Sequence, residues 1–477
     1  MKKEDLFEAL GDIDEKEVKD AGEYRGRKKS LWIRYAVPAL CMALLLGIVL
    51  RLPVPGSGTQ PGPAVQDIVT VRAEYPSAAA ENMDAEEFIF SEEHKNWRQA
   101  YLEKVSASEG LKDGMRGYYA SLMEKILARS DGNTVCSPLN TYIAFSMLAE
   151  VTAGNTRRQI LDVLGVPDIE TLRTSITALW NSNYADTPLL KSLLANSVWL
   201  KDSVSYDRDT LDLLARDYYA SSYSGVPGSE EMDRLLQEWT DENTGNLLSE
   251  YTKDLRLDPE TVLAIVSTVL YRGMWADVFY TAATEKRIFH GTKGDTEADM
   301  MHRYDSMNVY RGDSFTAVGL RLTDSGTMYF LLPDEGTDVR SLVSDPGVLN
   351  VTDNTDEHWS AAGVDLFLPK FKVSSKTDLM DIMAEMGMTD VLDASKADFT
   401  PLSGELEGVS VSEAEHAAMV EIDEKGVTGA AYTELEANES AAEVSEEIEF
   451  ILDRPFLFII AGADGSILFT GIVRDIE

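Results

Sequence analysis

A short run near the C-terminus constrains the fold more than any other stretch. From Val427 onward, alternate positions hold Val427, Gly429, Ala431, Thr433, Leu435 and Ala437, all small or apolar, with Thr428, Ala430, Tyr432, Glu434, Glu436 and Asn438 between them. Period-two alternation belongs to a strand with one buried face. The same run carries Gly, Asn and acidic residues, which belong in an exposed loop. One segment satisfies both descriptions if it has two states, a loop in one and a strand in the other. No proline lies between Glu424 and Phe450, so nothing in the run blocks ladder pairing.

Composition excludes several classes of function. A chain of 477 residues, 44% of them hydrophobic, can bury a large core. A formal charge of −39, with basic residues concentrated only at 25–34, argues against nucleic acid as a partner. The two cysteines, Cys41 and Cys136, imply no disulfide framework. None of the five histidines, His94, His290, His302, His358 and His416, stands in a metal-ligand spacing or beside a nucleophile elbow. No metal, no cofactor and no catalytic residue is expected.

Along the chain, residues 1–34 are polar and end in the basic cluster Arg25 to Arg34, after which Tyr35 to Leu50 holds no charge. Extended through Arg51 to Val54, the apolar stretch reaches about the 20 residues that cross a hydrocarbon core. This predicts a single-pass membrane anchor at 35–54, with 1–34 cytoplasmic and the remainder extracellular by the positive-inside rule. The alternative is a cleaved leader and a secreted protein. The Pro/Gly-rich stretch after Val54 reads as a tether, and residues 55–105 are expected to be linker.

The apolar stripe Met115, Tyr118, Tyr119, Leu122, Ile126, Leu127 predicts a helix from Leu111. One globular domain is therefore expected over 106–477. Strands are signalled at 193–200, 261–271 and 328–332. Helices early and strands late point to an α+β domain.

Landmarks spread over 111–477 resemble those of the serpin family, in the same order. Asn133…Ser137-Pro138 is similar to the family's Asn-x-x-x-Ser-Pro, and Gly154-Asn155-Thr156…Gln159-Ile160 to its Gly-x-Thr-x-x-Gln-Ile. Trp239…Thr244, Gly273-Met274-Trp275…Phe279, Leu368-Pro369-Lys370-Phe371, Glu385-Met386-Gly387-Met388, Asp453-Arg454-Pro455-Phe456 and Ile467-Leu468-Phe469-Thr470-Gly471 match further segments. The opening run resembles the reactive-centre hinge, with Glu424, Gly426, Val427, Thr428, Gly429, Ala430, Ala431 and Thr433 as its positions.

The resemblance implies a serpin fold of about three β-sheets and about nine helices, with an exposed loop able to insert into the central sheet. It implies a bacterial-type, membrane-anchored serine protease inhibitor, acting as a monomer, that traps its target as a covalent acyl-enzyme. It also implies a sheet-opening region made by Ser137, Pro138, Asn140, Ser267, Trp275 and His416. Three positions depart from the family pattern: Val427 replaces the usual Thr, Ser267 the usual Asn, and Asn140 the usual second Ser.

Counting the family's loop length from Glu424 puts the cleaved bond at Ser440–Ala441, and counting back from Pro455 puts it at Val444–Ser445. Either residue before the bond is small, which implies an elastase-like target. The glutamates at 434, 436, 439, 443, 446, 447 and 449 leave open a Glu-specific protease. A cysteine protease target and a non-inhibitory binding protein on the same fold are the other readings.

Overall fold

The polar positions of the central sheet and the apolar run near the N-terminus decide how this fold is put together. The computed structural model describes residues 42–51, 69–80, 82–353, 355–427 and 446–476, all of which belong to one compact unit, residues 39–477.

Six strands of the central, nine-stranded sheet bear on function: β1 (Met42–Arg51), β2 (Leu190–Lys201), β3 (Thr261–Met274), β4 (Phe371–Asp378), β5 (Ser410–Asp423) and β6 (Gly426–Val427). β3 and β2 pair antiparallel along most of their length, as do β4 and β5. Between β3 and β5 lies a gap that two separate pieces of chain fill. β6 fills one end, with Val427 opposite both Ile422 and Gly273. β1 fills the rest, pairing with β5 from Leu44↔Ala418 to Arg51↔Ser410 and with β3 from Met42↔Tyr271 to Arg51↔Thr261.

The second sheet also has nine strands, built around the 18-residue strand Gly294–Arg311. That strand pairs with Trp359–Pro369 and, at its far end, with Phe315–Arg321, so two of the three expected sheets are joined into one. Twelve α-helical segments occur among the described residues, three of them only four residues long. The helix anticipated from Leu111 spans Leu111–Leu127 and buries the whole anticipated stripe.

Two expectations about the N-terminal part need correction. The stretch 35–54 was expected as a membrane-crossing segment, but residues 42–51 of it are β1. No helix among the described residues is long and apolar enough to cross a membrane. The physical reason is that a sheet strand covered on both faces and a membrane span both require an uninterrupted apolar run. Ile48 and Leu50 are fully buried, each worth roughly 1.5–3 kcal/mol when taken from water.

The fold also starts before residue 106. Helices Ala85–Ile89 and Glu92–Ala107 begin at Asp84 and Ser91, whose side chains accept from the backbone N–H groups of Glu87 and His94, as N-caps do. Val69–Val71 adds an edge strand to the central sheet.

Candidate functional site

The site is the gap between β3 and β5, and its polar floor is set by one helix N-terminus. Ser137 caps helix α1 (Pro138–Glu150): its Oγ accepts from Asn140 N at 3.2 Å, and Pro138 occupies the first helical position, where its missing N–H costs nothing. The cap leaves the Ser137 backbone N–H free to donate to His416 Nε2 on β5, at 3.0 Å. His416 is completely buried, and desolvation pushes its pKa down to about 3. The ring is neutral, with the proton on Nδ1, since Nε2 accepts. Nδ1 has no hydrogen-bond partner among the described residues.

Asn140 and Ser267 meet directly. Asn140 Nδ2 donates to the Ser267 carbonyl at 3.1 Å, and the Ser267 hydroxyl lies 2.6 Å from Asn140 Oδ1 and 2.6 Å from Asn196 Oδ1. The hydroxyl's single proton serves one of these two acceptors at a time. Asn196 is held in turn by donating from Nδ2 to the Tyr218 carbonyl at 2.7 Å. The two departures from the family pattern are thus partners of one another: amide and hydroxyl have exchanged places and still bridge α1 to β3. The sequence offered no sign that Asn196 belongs to this network, because an Asn within an apolar strand has no distinctive spacing.

At the other end of the gap the hinge is seated. Lys425 N and Gly426 N both donate to Asp423 Oδ1, at 2.8 and 3.2 Å, closing a tight turn. Trp275 Nε1 donates to the Asp423 carbonyl at 2.9 Å and Trp275 N to the Lys425 carbonyl at 3.0 Å. A Cβ on Gly426 would overlap the Gly273 carbonyl oxygen and come within 2.9 Å of Met274 Cα, so only glycine fits this approach.

Glu424 Oε1 accepts from Thr284 Oγ1 at 2.8 Å and from Lys370 Nζ at 3.2 Å. Burial alone would raise the Glu424 pKa. The hydrogen bonds it accepts, including those from Thr284 and Lys370, outweigh that effect and hold it below the usual glutamate range. Val427 is fully buried, which suits the apolar residue that stands where the family pattern has Thr.

The structure therefore brings together Ser137, Pro138, Asn140, Ser267 and His416 in the floor of the gap, and Glu424, Gly426, Val427 and Trp275 at its mouth. Thr428, Gly429, Ala430, Ala431 and Thr433, and both candidate bonds, Ser440–Ala441 and Val444–Ser445, lie outside the described residues. The chain resumes at Glu446, and Glu447–Ile451 pairs in parallel with Trp359–Pro369 of the second sheet. The intervening run is thus tied to a different sheet at each end. Among the described residues no group of His, Cys, Asp and Glu is arranged to hold a metal ion.

Residues 117–476 match the model of the family described as Serpin (serine protease inhibitor). This chain is a serpin. It is 26% identical over 381 residues to antichymotrypsin-2 of Bombyx mori, covering 77% of this chain and 99% of that protein. By structure it is similar to the thermophilic serpin tengpin in its native state, with a TM-score of 0.67, 21% identity and coverage of 86% of this chain and 100% of that one. It is also similar to human thyroxine-binding globulin complexed with thyroxine, with a TM-score of 0.63, 20% identity and coverage of 79% and 99%. The α+β serpin fold is therefore the fold of this chain. Matched relatives come from insects, mammals and archaea alike, which lends no support to a bacterial type.

Proposed function

We propose that this serpin is a suicide-substrate inhibitor of serine proteases. The protease serine Oγ attacks the carbonyl carbon of Ser440, the bond to Ala441 breaks, and the new amine leaves with the proton that the serine gave up. Ser440 then remains as an ester on the protease. The freed loop inserts between β3 and β5 and drags the protease with it before water reaches the ester.

The observation that carries this reading is the seat of Val427. It is the first residue of the alternating run, it is already paired with both β3 and β5, and its side chain is fully buried. Alternation then puts Gly429, Ala431, Thr433, Leu435 and Ala437 on the core side and Tyr432, Glu434 and Glu436 on the other, an arrangement that suits insertion. The small residue at 440, or at 444 if the bond is Val444–Ser445, fits an elastase-like pocket. The protein acts outside the cell as a monomer, and residues 35–54 are long enough to anchor it in a membrane when they are not in the sheet.

Incubation with an elastase-type protease tests this reading. A complex that survives boiling in detergent is expected, with cleavage mapped by mass spectrometry to 440/441 or 444/445. Clean cleavage without any complex, and without a gain in thermal stability, contradicts it and points instead to a non-inhibitory binding protein. Cleavage after Glu439 or Glu443 reassigns the target to a Glu-specific protease.

A further inference from the structure

The register of the gap contains more than the hinge. Val427 faces Gly273 on β3 and Ile422 on β5. Continued without a slip, that ladder sets Gly429 opposite Tyr271, Ala431 opposite Val269 and Ala418, Thr433 opposite Ser267 and His416, Leu435 opposite Ile265 and Ala414, and Ala437 opposite Leu263. Those positions are already taken. Met42 stands opposite Tyr271, Leu44 opposite Val269 and Ala418, Leu46 opposite Ser267 and His416, Ile48 opposite Ile265 and Ala414, and Leu50 opposite Leu263. β1 runs in the same direction as the hinge ladder, antiparallel to both neighbours. It also keeps the same phase, since Ile48 and Leu50 are fully buried at the positions of Leu435 and Ala437.

We propose that residues 42–51 are an internal occupant of the gap that must leave before the reactive loop can insert, so that withdrawal of its own N-terminal strand holds this serpin back and sets how fast it forms complex. The hold-off rests on the inhibitor reading above; the occupancy does not. Two strands cannot pair with the same edges of β3 and β5, so the two states exclude one another.

The floor of the gap indicates which occupant wins once the loop is cut. At the position between Ser267 and His416, β1 supplies Leu46 and the loop supplies Thr433. His416 Nδ1–H lacks a partner among the described residues, and a threonine hydroxyl in that register can accept from it. A leucine cannot, so the loop satisfies a buried donor that β1 leaves alone. Withdrawal also has a physical destination. The same apolar residues that fill a sheet can partition into a bilayer as part of 35–54.

The test uses the full-length chain carrying Ile48→Asp and Leu50→Asp, which would bury two carboxylates if β1 stayed in place. The probe is a fluorescent synthetic peptide with the sequence of residues 428–440, whose uptake reports an open gap without any protease. At least tenfold more peptide bound to the variant than to the unsubstituted chain, together with a similar rise in detergent-stable complex with an elastase-type protease, supports the proposal. Equal uptake by both proteins overturns it. Higher uptake by the variant with no complex from either protein upholds the occupancy and overturns the inhibitor reading instead.

Should the double variant fail to fold, a second construction locks β1 in place: Ile48→Cys with Ala414→Cys, in a Cys41→Ser background. The oxidised form should refuse the peptide and the reduced form should accept it after β1 is released by added lipid vesicles. Equal peptide uptake by the oxidised and reduced forms overturns the proposal.

Discussion

Residues 42–50 and residues 429–437 compete for the same edges of β3 and β5, yet their sequences are built on opposite plans. The first is apolar at every position, whereas the second keeps small or apolar residues at every other one and places Tyr432, Glu434 and Glu436 between them. A strand that is apolar on both faces suits any environment without water, a sheet interior or a bilayer. A strand that alternates, with Glu434 and Glu436 on its outer face, suits one half-buried position in one sheet. The first is a general-purpose occupant and the second a fitted one, and the difference lies in the polar floor that only the second can satisfy.

The largest expected effect comes from breaking the fitted strand where it begins. Val427→Arg would force a charge into a fully buried site, so the variant should be cleaved as a substrate with at least a hundredfold less detergent-stable complex. Undiminished complex formation would show that insertion does not need the hinge seated in the gap.

Next in size is the effect of proton concentration on the floor. His416 is neutral when folded, with a pKa near 3 against 6.5 ordinarily, so between these values the unfolded chain binds the extra proton. Stability should therefore be level above pH 6.5 and fall as pH drops from 6.5 toward 3. His416→Gln should flatten that part of the profile, measured as the urea midpoint at pH 4.5 and 7.5. An unchanged slope would mean the ring is not the group that titrates.

Ser267→Ala removes the hydroxyl that donates to either Asn140 or Asn196 and should cost about 1–3 kcal/mol, because a buried amide oxygen loses its donor. Ser267→Asn combined with Asn140→Ser, which restores the family's order, should recover most of that loss. A strictly additive double variant would show that the two side chains are not coupled. Smaller still, Glu424→Gln should cost about 1 kcal/mol and abolish the part of the acid sensitivity that sets in as pH falls below about 4.5. Differential scanning calorimetry across pH 3–6 reads both.

How much of this was legible in the sequence depended on whether the pattern carried phase. The hinge alternates, so its buried face is named by the sequence alone, and the fully buried Val427 lies on it. Ser137, Asn140, Ser267 and His416 were gathered by the family resemblance alone, which is also why Asn196, outside its motifs, was missed. That Asn140 and Ser267 bond to each other required the structure, since only the register of β3 against α1 sets their distance. β1 could not be recognised, because the nine residues 42–50 have no polar position and so neither phase nor partner written in them, and the environment that such a run enters is chosen by tertiary context. The helix Glu92–Ala107 was hidden for the opposite reason. It fully buries only Tyr101, with Trp97 and Val105 half-buried beside it, so its apolar stripe is narrow, and its local signals are the Ser91 cap and the acidic first turn Glu92 and Glu93.

Hydrogen exchange, read by mass spectrometry on the covalent complex with an elastase-type protease, tests most directly whether one gap serves both strands. If it does, 428–437 gains protection while 42–51 loses it, in equal proportion and at the same rate. Continued protection of 42–51 in a complex whose loop exchanges freely would contradict it.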